Sequence, residues 1–236
     1  MLYIVPTPIG NMEDITLRAL RILKEVDFVV AEDTRHSGML LKKYEISTPM
    51  MSFHSHSNDF QLEKLISLLR EGKNLALISD AGMPGISDPG YVVIKHAIEN
   101  QIQVTVLPGA SAAVTGVVAS GLPANKFTYL GFLPLKKGRK TLIASMKDMP
   151  YTIVFYESPH RIQRTLKEIY EQNGERPVAV CREMTKMFEE IFRGPLSEAI
   201  KHFDKGTPRG EFTVVLGQAE KPDIMEKEGV IEASHS

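Results

Sequence analysis

The sequence predicts an α/β fold in two domains, and three observations carry that reading. Short, almost uninterrupted apolar runs recur through the first half, as strands buried on both faces of a parallel sheet require. Segments with helical apolar spacing lie between them, giving the βαβ alternation of an open sheet. At Gly121-Leu122-Pro123 the chain is punctuated, and the second half is richer in strands. The domains are accordingly 1–121 and 122–220, with a polar tail, 221–236, after them.

In the first domain the strand-like runs are Leu2–Val5, Phe28–Ala31, Met50–Phe53, Leu75–Ser79 and Val104–Leu107. Leu17, Leu20, Leu23 and Val26 recur at helical spacing, with Asp14 or Thr16 available as N-cap. Leu62, Leu65, Ile66 and Leu69 repeat the pattern, and Gly72 stands where a left-handed residue ends a helix. Asp88-Pro89 reads as an N-cap and first helical position ahead of Tyr91–Glu99. In the second domain Phe127–Phe132 leads into a basic run, Lys136-Lys137-Gly138-Arg139-Lys140. Thr152–Tyr156 runs into Ser158-Pro159, read as a helix start, with Leu166, Ile169 and Tyr170 on the buried face. Val178–Cys181, Glu190–Phe192 and Phe212–Leu216 complete the strands.

Composition narrows the classes. Apolar residues are 43% of the 236, enough for a continuous core without a disulfide or structural metal. Cys181 is the only cysteine, which excludes an intrachain disulfide and a multi-cysteine zinc site and favours a reducing compartment. No basic leader opens the chain, Pro6 and Pro8 cut the first apolar run short, and no apolar stretch approaches the roughly 20 residues that span a bilayer. A soluble, cytoplasmic protein with no membrane partner is expected. A net charge of −1 argues against coating nucleic acid by bulk electrostatics, so an RNA would have to meet a local basic patch.

Ligands of open α/β sheets bind beyond the carboxyl ends of the strands. The segments there are Pro6–Asn11, Glu32-Asp33-Thr34-Arg35, the His54/His56 pair, Asp80–Gly85 and Pro108–Ala112. A long glycine- and proline-rich loop between buried elements is a candidate ligand loop. No G-x-G-x-x-G opens a helix after the first strand, and no Lys follows a glycine-rich loop in the Walker manner. His54 and His56 lack a third partner of metal-ligand spacing. Glu32 and Asp33 are adjacent, so at a strand end they point to opposite sides and do not form a carboxylate dyad. Lys136, Lys137, Arg139 and Lys140 form the densest cationic cluster, and Arg161, Arg164 and Arg182 could extend it.

Several runs resemble one known family. Pro6–Thr16, Ala31–Arg35, Ser79–Gly90, Leu107–Ala112, Phe155–Arg161, Cys181–Lys186 and Arg209–Thr213 are similar, in order, to the branch of the tetrapyrrole-methylase family that methylates small-subunit ribosomal RNA. The resemblance runs from about Met1 to Gly217; it departs at Ser57, Met83 and Met184. It implies a two-domain tetrapyrrole-methylase fold, with a mostly parallel sheet in the N-terminal domain and a mixed sheet in the C-terminal one. It further implies a homodimer with S-adenosylmethionine in the cleft between the domains. By matching positions, Ile9, Asp80, Met83, Ser111, Ala112, Tyr156, Cys181 and Thr213 are the expected cofactor-lining residues.

The activity implied is 2′-O-methylation of a cytidine ribose in the decoding region of 16S ribosomal RNA, on the RNA itself or on the small ribosomal subunit. In-line methyl transfer depends mainly on positioning, helped by a base as the hydroxyl proton leaves. His56 and Asp33 are the candidate bases, with Arg35 placing a phosphate or ribose. Lys136, Lys137, Arg139, Lys140 and Arg161 are the candidate RNA contacts. The rivals are a tetrapyrrole (corrin or sirohaem precursor) C-methyltransferase and a non-catalytic ribosome-assembly factor.

Overall fold

The structure, a computed structural model, describes residues 1–204, 206 and 208–218; the expected tail, 221–236, lies outside them. The first domain runs β1 (Leu2–Ile4), α1 (Leu17–Glu25), β2 (Phe28–Ala31), α2 (Thr34–Lys43), β3 (Met50–Ser52), α3 (Asp59–Arg70), β4 (Leu75–Leu77), α4 (Gly90–Glu99) and β5 (Val104–Val106). Its strands form a five-stranded sheet in the order β3-β2-β4-β1-β5. Every pairing is parallel, with Leu2 of β1 level with Leu75 on one side and Val104 on the other. Both faces are covered, one by Ile22, Leu23 and Leu41, the other by Leu65, Ile66 and Val93, which is why the inner strands β2 and β4 are apolar throughout.

The helix ends follow from local chemistry. The Thr16 hydroxyl accepts from the Ala19 N–H at 3.0 Å, so Thr16 rather than Asp14 caps α1. Asn58 and Gln61 close a reciprocal capping box on α3, and Gly72 follows that helix at φ 87°. The Asp88 carboxylate accepts from the Gly90 N–H at 2.7 Å just ahead of α4, where Pro89 rather than Asp88 occupies the N-cap position. On α1 the buried face is Ala19, Ile22 and Leu23, with the C-cap Val26 buried beside them; Leu17, expected within it, is 87% exposed because it stands on the first turn, outside the packed stripe.

The second half runs α5 (Ala112–Ser120), β6 (Phe127–Phe132), α6 (Arg139–Ser145), β7 (Thr152–Glu157), α7 (Ile162–Asn173), β8 (Pro177–Arg182), β9 (Glu190–Pro195), α8 (Leu196–Phe203) and β10 (Phe212–Leu216). The sheet order is β6-β7-β10-β8-β9, parallel between β6 and β7 and antiparallel elsewhere, hence mixed. Helices α6, α7 and α8 cover one face through Ile143, Leu166 and Ala199. Helix α5 precedes the expected boundary at Leu122 yet covers the other face, with Ala113 and Val117 on Val154, Ala179 and Val215. Gly116 allows that approach, since a Cβ there would fall 2.7 Å from Thr213 Cγ2.

Two expectations are corrected here. Ser158-Pro159 forms a turn, the Ser158 carbonyl accepting from the Arg161 and Ile162 N–H groups, and α7 begins only at Ile162, with Tyr170 exposed. Arg139, expected on a basic surface, is 5% exposed. Its Nε bonds Glu168 at 2.8 Å, one Nη donates to Thr165 Oγ1 at 2.7 Å, and the other lies 3.8 Å from the buried Glu157. Glu157 in turn accepts from Thr165 Oγ1 and pairs with Arg161 at 2.7 Å. A guanidinium buried and bonded in this way is not presented to a phosphate at the surface. Removing one partner of a buried ionic cluster strands the others, so Arg139→Ala should cost about 3–5 kcal/mol. The exposed Lys140→Ala should stay within about 0.5 kcal/mol of wild type. Urea-unfolding midpoints check both, and equal midpoints would refute the cluster's role.

Candidate active site

The loops after β1 and β4 are joined at the carboxyl edge of the first sheet. Thr7 and Gly82 exchange backbone hydrogen bonds at 3.0 Å each, an isolated antiparallel bridge. The Thr7 hydroxyl donates to the Ser79 carbonyl and the Ser79 hydroxyl to the Gly82 carbonyl, both at 2.9 Å. Gly82 and Gly85 take left-handed φ values of 82° and 87°, which the turn demands. Asp88 clamps the loop by also accepting from the Gly85 N–H at 2.8 Å. Ser87, left-handed at φ 64°, meets the Tyr129 hydroxyl of the second domain at 2.7 Å.

The loop between β8 and β9 closes the opposite side. Asn11 N–H donates to Thr185 Oγ1 at 3.0 Å across the domain seam. At Gly10 a Cβ would lie 2.6 Å from that same oxygen and 2.9 Å from the Met184 carbonyl. Glu183 Oε1 accepts from Lys186 and from the Glu211 N–H, while Lys186 also pairs with Glu211 at 2.8 Å, holding this loop to the start of β10. Hydrogen bonding to Lys186 and to the Glu211 N–H outweighs burial and lowers the Glu183 pKa.

Between these loops lies a cavity of about 420 Å³. All eight residues expected to line a cofactor cleft line it: Ile9, Asp80, Met83, Ser111 and Ala112 from before β6, and Tyr156, Cys181 and Thr213 from the second sheet. Ser111 stands at the N-cap of α5 without using its hydroxyl as a cap, and Ala113 N–H is taken by the Tyr156 hydroxyl at 3.1 Å. Burial, then the neighbouring Tyr129, raises the Tyr156 pKa, so the phenol stays protonated. Burial likewise pushes the Cys181 thiol up to about 11, which makes it a neutral wall atom rather than a nucleophile. The lining includes the acidic residues Glu32, Asp80, Asp88, Glu183 and Glu211 against one cation, Lys186, an environment suited to a positively charged ligand, while the Glu157 carboxylate is buried behind the wall and paired with Arg161.

The remaining expected residues lie elsewhere. Asp33 and Arg35 do not line this cavity: Asp33 is the N-cap of α2, its carboxylate accepting from the Arg35 and His36 N–H groups, and these bonds lower its pKa. The Arg35 side chain is 94% exposed. His56 is exposed in the turn after β3, its N–H on His54 Nδ1 at 3.2 Å. Lys136, Lys137 and Lys140 are exposed, while Arg161 is bound to Glu157 and to the Leu133 carbonyl. Among the described residues no three His, Cys, Asp or Glu side chains group as a metal site requires. No described helix is long and apolar enough to cross a membrane. Sequence reasoning missed Glu32, Phe132 and the Glu183–Lys186–Glu211 set as cavity walls. The last stands within two of the family-like runs, Cys181–Lys186 and Arg209–Thr213, so the signal was present and was not assigned.

Fold and site define a two-domain α/β protein with an acidic ligand cleft walled by loops of both domains. The chain belongs to the tetrapyrrole (corrin/porphyrin) methylases, whose family model matches residues 1–200. It is 50% identical over 219 residues to the ribosomal RNA small subunit methyltransferase I of Thermotoga maritima, covering 93% of this chain and 99% of that one. It is 45% identical to the protein of that name from Bacillus subtilis, covering 97% of this chain and 78% of the relative. Among solved structures, uroporphyrin-III-C-methyltransferase from Thermus thermophilus superimposes with a TM-score of 0.64 at 22% identity, over 91% of this chain and 93% of that one. A cobalt precorrin-4 methyltransferase gives 0.67 at 19%, over 92% and 94%. These two share the fold.

The Gly10 contact is testable. Gly10→Ala should destabilise the protein by about 1–3 kcal/mol through overpacking. Gly38→Ala, where a Cβ would meet only Met50 Cε at 3.5 Å inside α2, should be neutral or stabilising. Parallel urea titrations distinguish them; equal stability of both variants would show that the seam gives way freely.

Proposed function

We propose that the chain is an S-adenosylmethionine-dependent methyltransferase acting on the 2′-hydroxyl of a cytidine ribose in the decoding region of 16S ribosomal RNA. The observation that carries this reading is the extent of the similarity to the T. maritima methyltransferase, 50% over 219 residues and therefore across both domains. The cleft fits the cofactor. Its volume of about 420 Å³ lies within the roughly 300–1,000 Å³ typical of ligand pockets. Apolar walls from Ile9, Met83 and Cys181 suit a purine and a thioether, the uncapped Ser111 hydroxyl is available for hydrogen bonding, and the carboxylates suit an ammonium and a sulfonium.

When bound, S-adenosylmethionine supplies a methyl group activated by the positive charge on sulfur. The chain's own part is to hold the ribose oxygen in line with that methyl, which positioning alone accelerates strongly. Lys136, Lys137 and Lys140 are free to meet RNA phosphates, and Arg35 adds an exposed cation beside α2. Asp33 supports that helix and His56 stands outside the cleft wall, so neither is favoured as the base. The assembly we propose is a homodimer in the cytoplasm. Tyr91 and Ile98 on α4 and Val114 and Val118 on α5 are exposed apolar residues that a second copy would cover.

Methyl-labelled S-adenosylmethionine and small ribosomal subunits lacking the modification test the activity. Label should appear in 16S RNA at a ribose. Tight cofactor binding without RNA label would favour the assembly-factor or tetrapyrrole readings, and absence of cofactor binding would overturn the proposal. A sedimentation-equilibrium mass of one chain would overturn the homodimer.

A further inference from the structure

Resting on the activity proposed above, we infer that Glu32 is the base that receives the ribose hydroxyl proton: it is the cleft carboxylate left without a partner, at the carboxyl end of β2. The other cleft acids are occupied. Asp88 holds the Gly85 and Gly90 N–H groups. Glu157 is bound by Thr165, Ser158 N–H and Arg161. Glu183 and Glu211 share Lys186. Asp80 accepts from the Asp33 N–H at 3.2 Å. Glu32 lines the same cavity and, among the described residues, makes no hydrogen bond or ion pair.

The strand end explains the division of labour between the two adjacent acids. Consecutive side chains leave a strand on opposite sides. Asp33 turns to α2 and spends its carboxylate on that helix's first N–H groups, which weakens it as a base. Glu32 turns into the cleft, where burial, then Asp80 and Asp88, raise its pKa against a smaller opposing effect of His54. A carboxylate raised towards neutrality is a stronger proton acceptor at working pH than an ordinary one.

The step balances. The O–H bond electrons stay on the ribose oxygen as its proton passes to the Glu32 carboxylate. That oxygen forms the new O–C bond, and the electrons of the breaking C–S bond remain on sulfur, which loses its positive charge. Solvent then takes the proton from Glu32.

Glu32→Gln and Glu32→Asp test the assignment with calorimetric cofactor binding, single-turnover transfer to small subunits and a carboxyl-carbon NMR titration of the wild-type protein. In E32Q the single-turnover rate at saturating cofactor should fall about 10²–10⁴-fold, the usual contribution of a general base, well beyond any change in cofactor affinity. The base works only when ionised, so the wild-type rate should fall as pH drops through the Glu32 pKa. Glu32→Asp should keep that limb at reduced rate and E32Q should lose it. The NMR titration should place Glu32 above the ordinary glutamate value of about 4.3. An E32Q protein that transfers at the wild-type rate, or one whose only defect is cofactor affinity, would overturn the assignment. Wild-type protein that transfers nothing would overturn the proposed activity and this role with it; wild-type transfer beside an unimpaired E32Q overturns Glu32 alone.

Discussion

The cleft is closed where two loops from different domains meet at a residue without a side chain of its own, Gly10. At Gly10 the backbone of the first domain rests on Met184, Thr185 and Lys186 of the second, and a methyl group there would meet a carbonyl that cannot rotate away. The second-domain loop takes an unfavourable shape to make the contact, with Glu183 at φ 49° and Thr185 at φ 66°. Left-handed non-glycine residues cost of order 1–3 kcal/mol each and persist only where neighbours hold them. Here the holding is electrostatic and local: Glu183, Lys186 and Glu211 tie the loop to β10. Gly210, at φ 92°, lets Glu183 lie flat against the chain, since a Cβ there would fall 2.4 Å from Glu183 Cγ. The ion pairs that line the cleft therefore also fix its shape.

A buried charge organises the other end of the cleft. Glu157 ends β7 with its side chain fully desolvated, so its carboxylate must be answered from within the protein. Arg139 from α6, Arg161 from the turn before α7 and Thr165 from α7 answer it together. These three elements converge because that charge requires them, and the two arginines that read as nucleic-acid contacts are spent on it.

How much was legible depends on the kind of signal each element carries. Of the ten strands, β1, β2, β4, β7, β8 and β10 were readable because burial makes them apolar runs, and α1 and α3 because a stripe and a cap announce them. Helix α5 left no such mark: Ala-Ala-Val-Thr-Gly-Val-Val-Ala-Ser is apolar nearly all round and rich in β-branched residues, which favour strands as much as helices. Helix α2 begins with Thr-Arg-His-Ser-Gly, so its cap, Asp33, looked like a catalytic acid. Periodicity could not reveal the cleft, because its walls run from Ile9 to Thr213 and share no local pattern. Only the resemblance of separated loops collected them. The choice between Glu32 and Asp33 needed coordinates, since a free carboxylate and a capping one are the same letter class in sequence.

An acidic cleft and a polyanionic substrate are reconciled by separation. On the proposed activity, only a neutral part of the nucleotide, the ribose hydroxyl, has to enter among Glu32, Asp80 and Asp88; the phosphates can stay outside. Phe132 lines the cleft, and Lys136 and Lys137 follow it by four and five residues. At about 3.5 Å per extended residue they reach no farther than roughly 18 Å from that wall. Charges in solvent more than about 8 Å apart are largely screened from one another. The two internally paired arginines still serve the RNA on this view, through the backbone rather than by contact. Arg161 holds the Leu133 carbonyl at 3.0 Å and Arg139 the Pro134 carbonyl at 3.2 Å, so the strand-to-lysine turn leaves the cleft at a fixed angle. Two cations sequestered beneath the loop thereby set where the exposed cations above it can stand.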